Sequence, residues 1–454
     1  MSRHNACILL ILALIYSSAL GQDLYEPFAR AFAENYNSQN YDAIYNLCSE
    51  GFKSKVPKDY FSQILAATYT NSGKLNEIKL SEDAPSGKIF HGICEKGTFA
   101  LSVSLDAAGK AAGLFIRPVE KYEGKDADSI IRKWKANTAN AGLIVGRIHN
   151  GQTDVQYYGV GSKSMSTPLD DSSIFEIGSI SKALTGIILH TLIAEGKISL
   201  ADPVNKFLPD GSRLPKVKGK DILIRHLVTH SSCLPRMPAN FNPPPAELNN
   251  PYNYYSPKEL LEYLPVVKAG ECELGKTPEY SNLGAGLLGY ILTKVTGKTY
   301  SELFDERIAK PLNTKSLGVM GPSDKWVQGH TPSGAQQPQW TFTDAIVGAG
   351  GVDASADDMV KLLTFLMNPD QSPLGKAVTA STAVQLPATG MSFGTFWIRN
   401  THESKTLIWH NGMTGGFNAF IAWIEGTQNG VFILTNNGED VATSLGMTIM
   451  SEEN

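Results

Sequence analysis

The sequence has little charge and no excess of either sign. Only 19% of its 454 residues are Asp, Glu, Lys or Arg, and 40 basic against 44 acidic side chains leave a formal net charge of −4. That balance argues against a nucleic-acid binder held by phosphate contacts and against a self-repelling disordered chain. Internal repeats and low-complexity tracts are missing. The N-terminal apolar run from Ile8 to Ile15 falls short of the about 20 residues that a membrane span requires. What is plentiful is core material: 42% of the residues are hydrophobic. A chain this long exceeds the roughly 250–300 residues at which one core stops growing, so two or three domains are expected.

Arg3 and His4 before the apolar run, and Ala19-Leu20-Gly21 after it, have the order of a cleaved export signal, with cleavage after Gly21. Cys7 precedes the apolar core, not the place of a lipid-bearing cysteine. The mature chain is therefore expected to be exported, with no stable membrane insertion. Four cysteines then remain, Cys48, Cys94, Cys233 and Cys272, in a compartment that permits disulfides. Three pairings are possible. Cys48–Cys94 and Cys233–Cys272 each stay within one expected domain and are favoured, with four reduced buried thiols as the alternative.

Residues 22–119 change once from helical to alternating pattern. Leu24, Phe28, Phe32 and Tyr36 recur at helical spacing, as do Tyr60, Ile64 and Leu65. Strand candidates follow at Lys88 to Cys94, Thr98 to Leu105 and Ala112 to Arg117. Helices followed by a meander suggest a small α+β domain, and the pattern resembles the cone-shaped fold of the nuclear-transport-factor-like superfamily. Residues 120–128 read as a linker. Residues 129–454 read as one larger domain, opening with a hairpin around Asn150-Gly151. A helix follows from Ser179 to Glu195, and the chain closes on strands at Leu407 to His410, Phe417 to Ile424 and Gly430 to Thr435. Strands at both ends imply a sheet that brings the termini together around a helical insert.

Four short patterns compete for the chemistry. Gly270 to Thr277 fits the phosphate-loop template, but two Glu would sit in the anion cradle, Pro278 follows, and no central strand precedes it. Gly390-Met391-Ser392-Phe393-Gly394 matches a nucleophile elbow, yet no helix follows the Ser, and only Glu403 and His410 remain downstream as partners. His226 and His230 share a helical face suited to zinc, but Leu227 stands where a zinc-protease helix needs Glu, so packing and capping roles are expected. The fourth is Ser179-Ile180-Ser181-Lys182 at the head of an apolar helix. Its spacing puts hydroxyl and amine on one face. A lysine in an apolar wall can lose its proton and take the hydroxyl's, while the helix N-terminus offers free N–H groups to an oxyanion.

Ser-x-x-Lys alone is common by chance, and its weight comes from order. Tyr280-Ser281-Asn282 and His410-Asn411-Gly412 follow it in sequence, whereas the decoys Tyr69-Thr70-Asn71 and His149-Asn150-Gly151 precede it. With Phe175 to Gly178, Glu195 to Pro203, Ile224 to Ser232, Gly348 to Gly351 and Gly412 to Phe417, residues of about 130 to 450 resemble the family of class C serine β-lactamases, DD-carboxypeptidases and related esterases. The resemblance implies an α/β (α+β) fold: a β-lactamase/transpeptidase-like sandwich of an antiparallel sheet with flanking helices and a helical region, here preceded by the small α+β cone-like domain.

It further implies that Ser179 forms an acyl-enzyme with Lys182 as proton partner. Tyr280, its phenol pKa lowered by Lys182, would be general base; Asn282 would hold a substrate amide, and His410 would line the strand along which substrate docks. Gly412 belongs to the same motif, and the N–H groups of Ser179 and Met413 would form the oxyanion hole. Two departures stand out. His410 replaces the lysine of Lys-Thr-Gly with a group only partly charged at neutral pH, and Cys233 stands at a usual glycine, which a disulfide to Cys272 would explain. No metal or cofactor is expected; the partner is a small-molecule or peptide substrate, and nothing in the pattern bears on oligomeric state. Tyr252, Tyr254, Tyr255 and Trp340 are candidates for the cleft rim. A carboxylesterase, and a non-catalytic ligand sensor that uses the small domain, are the rival readings.

Overall fold

The computed structural model describes residues 24–54, 56–84, 87–118, 126–137, 139–244, 247–268, 272–321, 323–387 and 391–453. The expected export signal, most of the expected linker, Gly270 and Gly390 lie outside them. Four helices, Tyr25–Asn37, Tyr41–Asn46, Glu50–Lys53 and Lys58–Ser72, come first. Four strands then form an antiparallel meander in sequence order: Leu75–Ala84, Gly87–Cys94, Thr98–Leu105 and Ala111–Pro118. The first of these strands was absent from the sequence reading. The helices and the sheet share one aromatic core around Phe32, Tyr36, Phe52, Phe61 and Phe99.

Cys48 and Cys94 are free and buried in this core, contrary to the favoured pairing. Each thiol lies against a nearby carbonyl, Ile44 and Gly92 respectively, at 3.7 Å. Burial pushes Cys48 up to about 12 and Cys94 to about 11, so both behave as small apolar groups.

The helix Ala127–Ala136 begins inside the expected linker, capped by Asp126, and belongs to the larger body. An eight-stranded sheet organises that body. Its order is Met391–Phe393, Ile398–His402, Lys405–Met413, Asn418–Ile424, Gly430–Thr435, Gly142–His149, Gln152–Ser162 and Thr167–Pro168, antiparallel throughout. The central strands are apolar on both faces because both are covered. Leu143, Val145, Phe420, Ala422 and Ile433 face the helices Ala127–Ala136 and Ala442–Glu452. The alternate residues Ile144, Ile421, Trp423, Phe432 and Leu434 face the main helical core. At its centre the helix Ile180–Ala194 is buried around its whole circumference from Ile180 to Leu192. The first hairpin turns at Asn150 and Gly151, both at positive φ, as a tight two-residue turn requires.

Ser392 sits in a short edge strand paired to Ile398–His402, so the elbow-like pattern is a strand start. The helix Ile224–Val228 places His226 Nδ1 as acceptor for the Leu223 N–H at 3.1 Å, a capping role rather than a ligand's.

Candidate active site

Ser179 is the residue at which an extended segment turns into the buried helix. The strand Ile174–Glu176 pairs with Asp353–Ser355, and Gly178, at φ +50°, makes the turn. Ser181 pins it: its hydroxyl donates to the Gly178 carbonyl at 2.6 Å and accepts the Val352 N–H at 3.0 Å. One helical turn on, Lys182 is fully buried, with Nζ 2.8 Å from Ser179 Oγ and 2.6 Å from the Ala349 carbonyl. The Ala349 segment is held close by bare backbone. A Cβ on Gly348 would lie 3.0 Å from Gly289 Cα, and Thr185 Oγ1 donates to the Gly348 carbonyl at 2.9 Å.

Tyr280 enters from the head of the helix Asn282–Thr296, which Ser281 caps by accepting the Gly284 N–H at 2.9 Å. Its phenol and Ser179 line the same cleft, and the Ser179 side chain holds the phenol's pKa down in part. Its ring packs at a tilt against His230, 4.5 Å between centroids, and has Lys182 Nζ 4.8 Å from its centre. His230 is thus a packing group, with Nδ1 accepting the Ser281 N–H at 3.1 Å. The Cys233–Cys272 disulfide is formed, and ties the segment after His230 to the segment leading into Tyr280.

The strand Lys405–Met413 closes the other side. A Cβ on Gly412 would fall 1.9 Å from the Ile177 carbonyl oxygen and 2.9 Å from the Ser179 nitrogen, and one on Gly178 would fall 2.7 Å from the Met413 nitrogen. These two glycines let the strand and the nucleophile turn touch backbone to backbone, so the N–H groups of Ser179 and Met413 flank one small space. A cleft of about 530 Å³ opens over it, lined among others by Ser179, Tyr280, Asn282, Gly412 and Met413. Tyr252, Trp340 and Phe342 form an aromatic wall, with Tyr252 stacked on Phe342 at 4.8 Å. Of the other expected rim residues, Tyr255 is buried, with its hydroxyl on Asn240, and Tyr254 is exposed outside the lining.

Two expectations are corrected by the electrostatics. Lys182 lies well below the ordinary lysine value because burial removes water from the ammonium and Arg236 repels it. Lys182 does not pull the phenol down: Tyr280 is raised by burial, with Arg236 and the Ser179 hydroxyl opposing only in part. His410 is not a partly charged group on the cleft wall. It is 1% exposed beneath it, with Nδ1 against the Asn411 carbonyl at 2.6 Å, and burial pushes it down to about 3. The cleft at this level is lined instead by Asn411, Gly412, Met413 and Thr414.

The sequence reading missed five lining residues, Phe342 and Asp440 among them. Arg236 stands over the Tyr280 ring with Cζ 4.9 Å from its centre. Phe115 and Ile116 reach the cleft from the small α+β unit, Phe115 at 52% exposure. A basic residue just after a Leu-Pro turn carries no periodic signal. An apolar residue on the outer face of an alternating strand is the only hint at Phe115.

A serine hydroxyl in contact with a buried amine thus shares one cleft with a phenol. The beta-lactamase family profile matches residues 127–447, and the chain belongs to that family of hydrolases. It is 25% identical over 346 residues to a beta-lactamase of Pseudomonas fluorescens, covering 68% of this chain and 92% of that protein. It is 27% identical over 278 residues to the D-alanyl-D-alanine-carboxypeptidase/endopeptidase AmpH of Escherichia coli, covering 58% and 70%. Among solved structures, the beta-lactamase/D-alanine carboxypeptidase of Pseudomonas syringae has the same fold, with TM-score 0.60, 20% identity and 72% and 96% coverage. The octameric penicillin-binding protein homologue of Pyrococcus abyssi has TM-score 0.61, 22% identity and 72% and 76% coverage.

Proposed function

We propose that this protein is an exported serine hydrolase that acts through a Ser179 acyl-enzyme on an amide or ester of the β-lactam or D-alanyl peptide type. The observation that carries the reading is the 2.8 Å contact between Ser179 Oγ and a fully buried amine that burial holds well below the ordinary lysine value. A neutral Lys182 has a lone pair for the serine proton and an N–H for the Ala349 carbonyl, so it is the general base. The Oγ–carbon bond forms as that proton moves to Nζ. The oxyanion is received by the Ser179 and Met413 N–H groups. The proton then passes through the Tyr280 phenol to the leaving nitrogen or oxygen as its bond to carbon breaks. Water repeats the sequence in reverse to free Ser179. Asn282 lies where it can hold a substrate amide.

The N-terminal apolar run and the Cys233–Cys272 disulfide favour an oxidising, extracytoplasmic site of action. The test is covalent labelling by a fluorescent penicillin or a fluorophosphonate. Labelling of the wild type and its loss in Ser179→Ala are expected; equal labelling of that variant would remove the nucleophile assignment.

A second reading, carboxylesterase, is favoured by the neutral, buried His410, which leaves the third motif without the charge that anchors a lactam carboxylate. Turnover of short-chain nitrophenyl esters without turnover of nitrocefin would select it.

A further inference from the structure

We propose that Arg236 is the cation that receives a substrate carboxylate in this cleft, in place of the third-motif residue His410. The inference rests on the acyl-transfer reading and names the substrates it takes: acyl compounds with a carboxylate a few ångströms from the scissile carbonyl. Arg236 is the only basic residue among those that line the cleft among the described residues, beside Ser179, Tyr280 and Asn282. Its guanidinium is aimed by two constraints. Its carbonyl accepts the Asn282 and Leu283 N–H groups at 2.9 and 3.3 Å, which fixes the backbone to the head of the Asn282–Thr296 helix. Its Cζ rests 4.9 Å from the Tyr280 ring centre, a cation–π seat beside the reacting hydroxyl.

No carboxylate among the described residues pairs with it. The acid that shares the cleft lining, Asp440, accepts the Thr443 N–H at the head of the C-terminal helix. The neighbouring groups that carry charge in other settings do not supply it here. His410 is buried against the Asn411 carbonyl, His230 is buried under Tyr280, and Lys182 is buried against Ser179. A permanently charged planar fork, exposed and free of acids, suits bidentate carboxylate binding. The carboxylate can belong to the leaving side, as in a peptide C-terminus, or to the acyl side.

The test compares kcat/KM for two matched pairs in the wild type, Arg236→Gln and Arg236→Lys. The leaving-side pair is diacetyl-L-Lys-D-Ala-D-Ala and its C-terminal amide. The acyl-side pair is nitrophenyl hydrogen glutarate and nitrophenyl valerate. In Arg236→Gln the charged-to-neutral ratio is expected to fall about 10- to 100-fold in one pair, the usual size for a charge-assisted hydrogen bond, with partial recovery in Arg236→Lys. The pair that responds identifies the side. Equilibrium binding of the free-carboxylate peptide or of glutarate to Ser179→Ala is expected to weaken to match when Arg236→Gln is added. Ratios within about threefold of wild type in both pairs, with fluorophosphonate labelling of Ser179 intact, overturn the assignment. Absence of labelling in the wild type overturns instead the acyl-transfer reading on which it rests.

Discussion

Replacing Gly412 by alanine tests the oxyanion geometry without touching any side chain of the reaction. The new Cβ would fall 1.9 Å from the Ile177 carbonyl oxygen and 2.9 Å from the Ser179 nitrogen, both backbone atoms on a turn pinned by Ser181. Carbon needs about 3.5 Å from such neighbours, so the strand Lys405–Met413 must retreat by more than about 1 Å. Met413 is the next residue, and its N–H retreats with the strand. A donor at about 2.9 Å from an oxyanion is then at about 4 Å and no longer bonds. Losing one such donor costs about 10²- to 10³-fold in acylation rate. The assay is the rate of fluorophosphonate labelling and of burst-phase nitrophenol release, with thermal melting to show that the variant is folded. Gly321→Ala, whose added Cβ meets nothing within 4 Å, serves as control and is expected to keep its rate. A folded Gly412→Ala protein that acylates within about threefold of wild type would refute the backbone oxyanion hole.

With the neutral form of Lys182 as the proposed base and its folded pKa depressed, acylation is expected to be full above that pKa and to fall as pH drops through it. Lys182→Arg, protonated at every accessible pH, should lose about 10²- to 10⁴-fold with no recovery at high pH, as read from a pH profile of the burst rate. His190, buried and bonded to Thr395 Oγ1 at 2.8 Å, is pushed down to about 4 by burial. Its stabilising neutral form is complete above about 6.5 and is lost progressively as pH falls from 6.5 to 4, because the unfolded chain takes the proton first. The raised carboxyls of Glu176 and Asp353 work in the opposite sense, so the difference is what counts. Wild type should lose about 3 kcal/mol relative to His190→Gln over that interval in urea unfolding; parallel curves would refute it. Phe115→Ala opens the cleft from the small α+β unit and should raise KM severalfold for bulky acyl chains with kcat kept; an identical acyl-chain profile would show that Phe115 meets no substrate.

The groups that converge around Ser179 are legible in the sequence because acyl transfer needs few residue types at fixed spacing. Ser179 and Lys182 one helical turn apart, Tyr280 at the head of a second helix, and Gly412 where two backbones must touch all leave marks that need no knowledge of packing. What was not legible depends on burial. A His410-Asn411-Gly412 triplet does not say whether the imidazole faces solvent or lies beneath a strand, and that alone separates a partial cation from a neutral ring. A charged Lys182 would lower the Tyr280 phenol, but the same burial pushes the lysine down and the phenol up. Cys48 and Cys94 share a domain, as expected, but fill one core as separate thiols because each lies against a local carbonyl. The strand Leu75–Ala84 carries four charged side chains in LNEIKLSEDA, which hid its alternation. Arg236 left no signal because its position follows from a disulfide, a helix cap and a ring that come together only in three dimensions. Charge in this site is therefore a property of the packing: burial pushes down both groups that the motifs suggest as cations, Lys182 and His410, and the cation that lines the cleft, Arg236, is one that no motif contains.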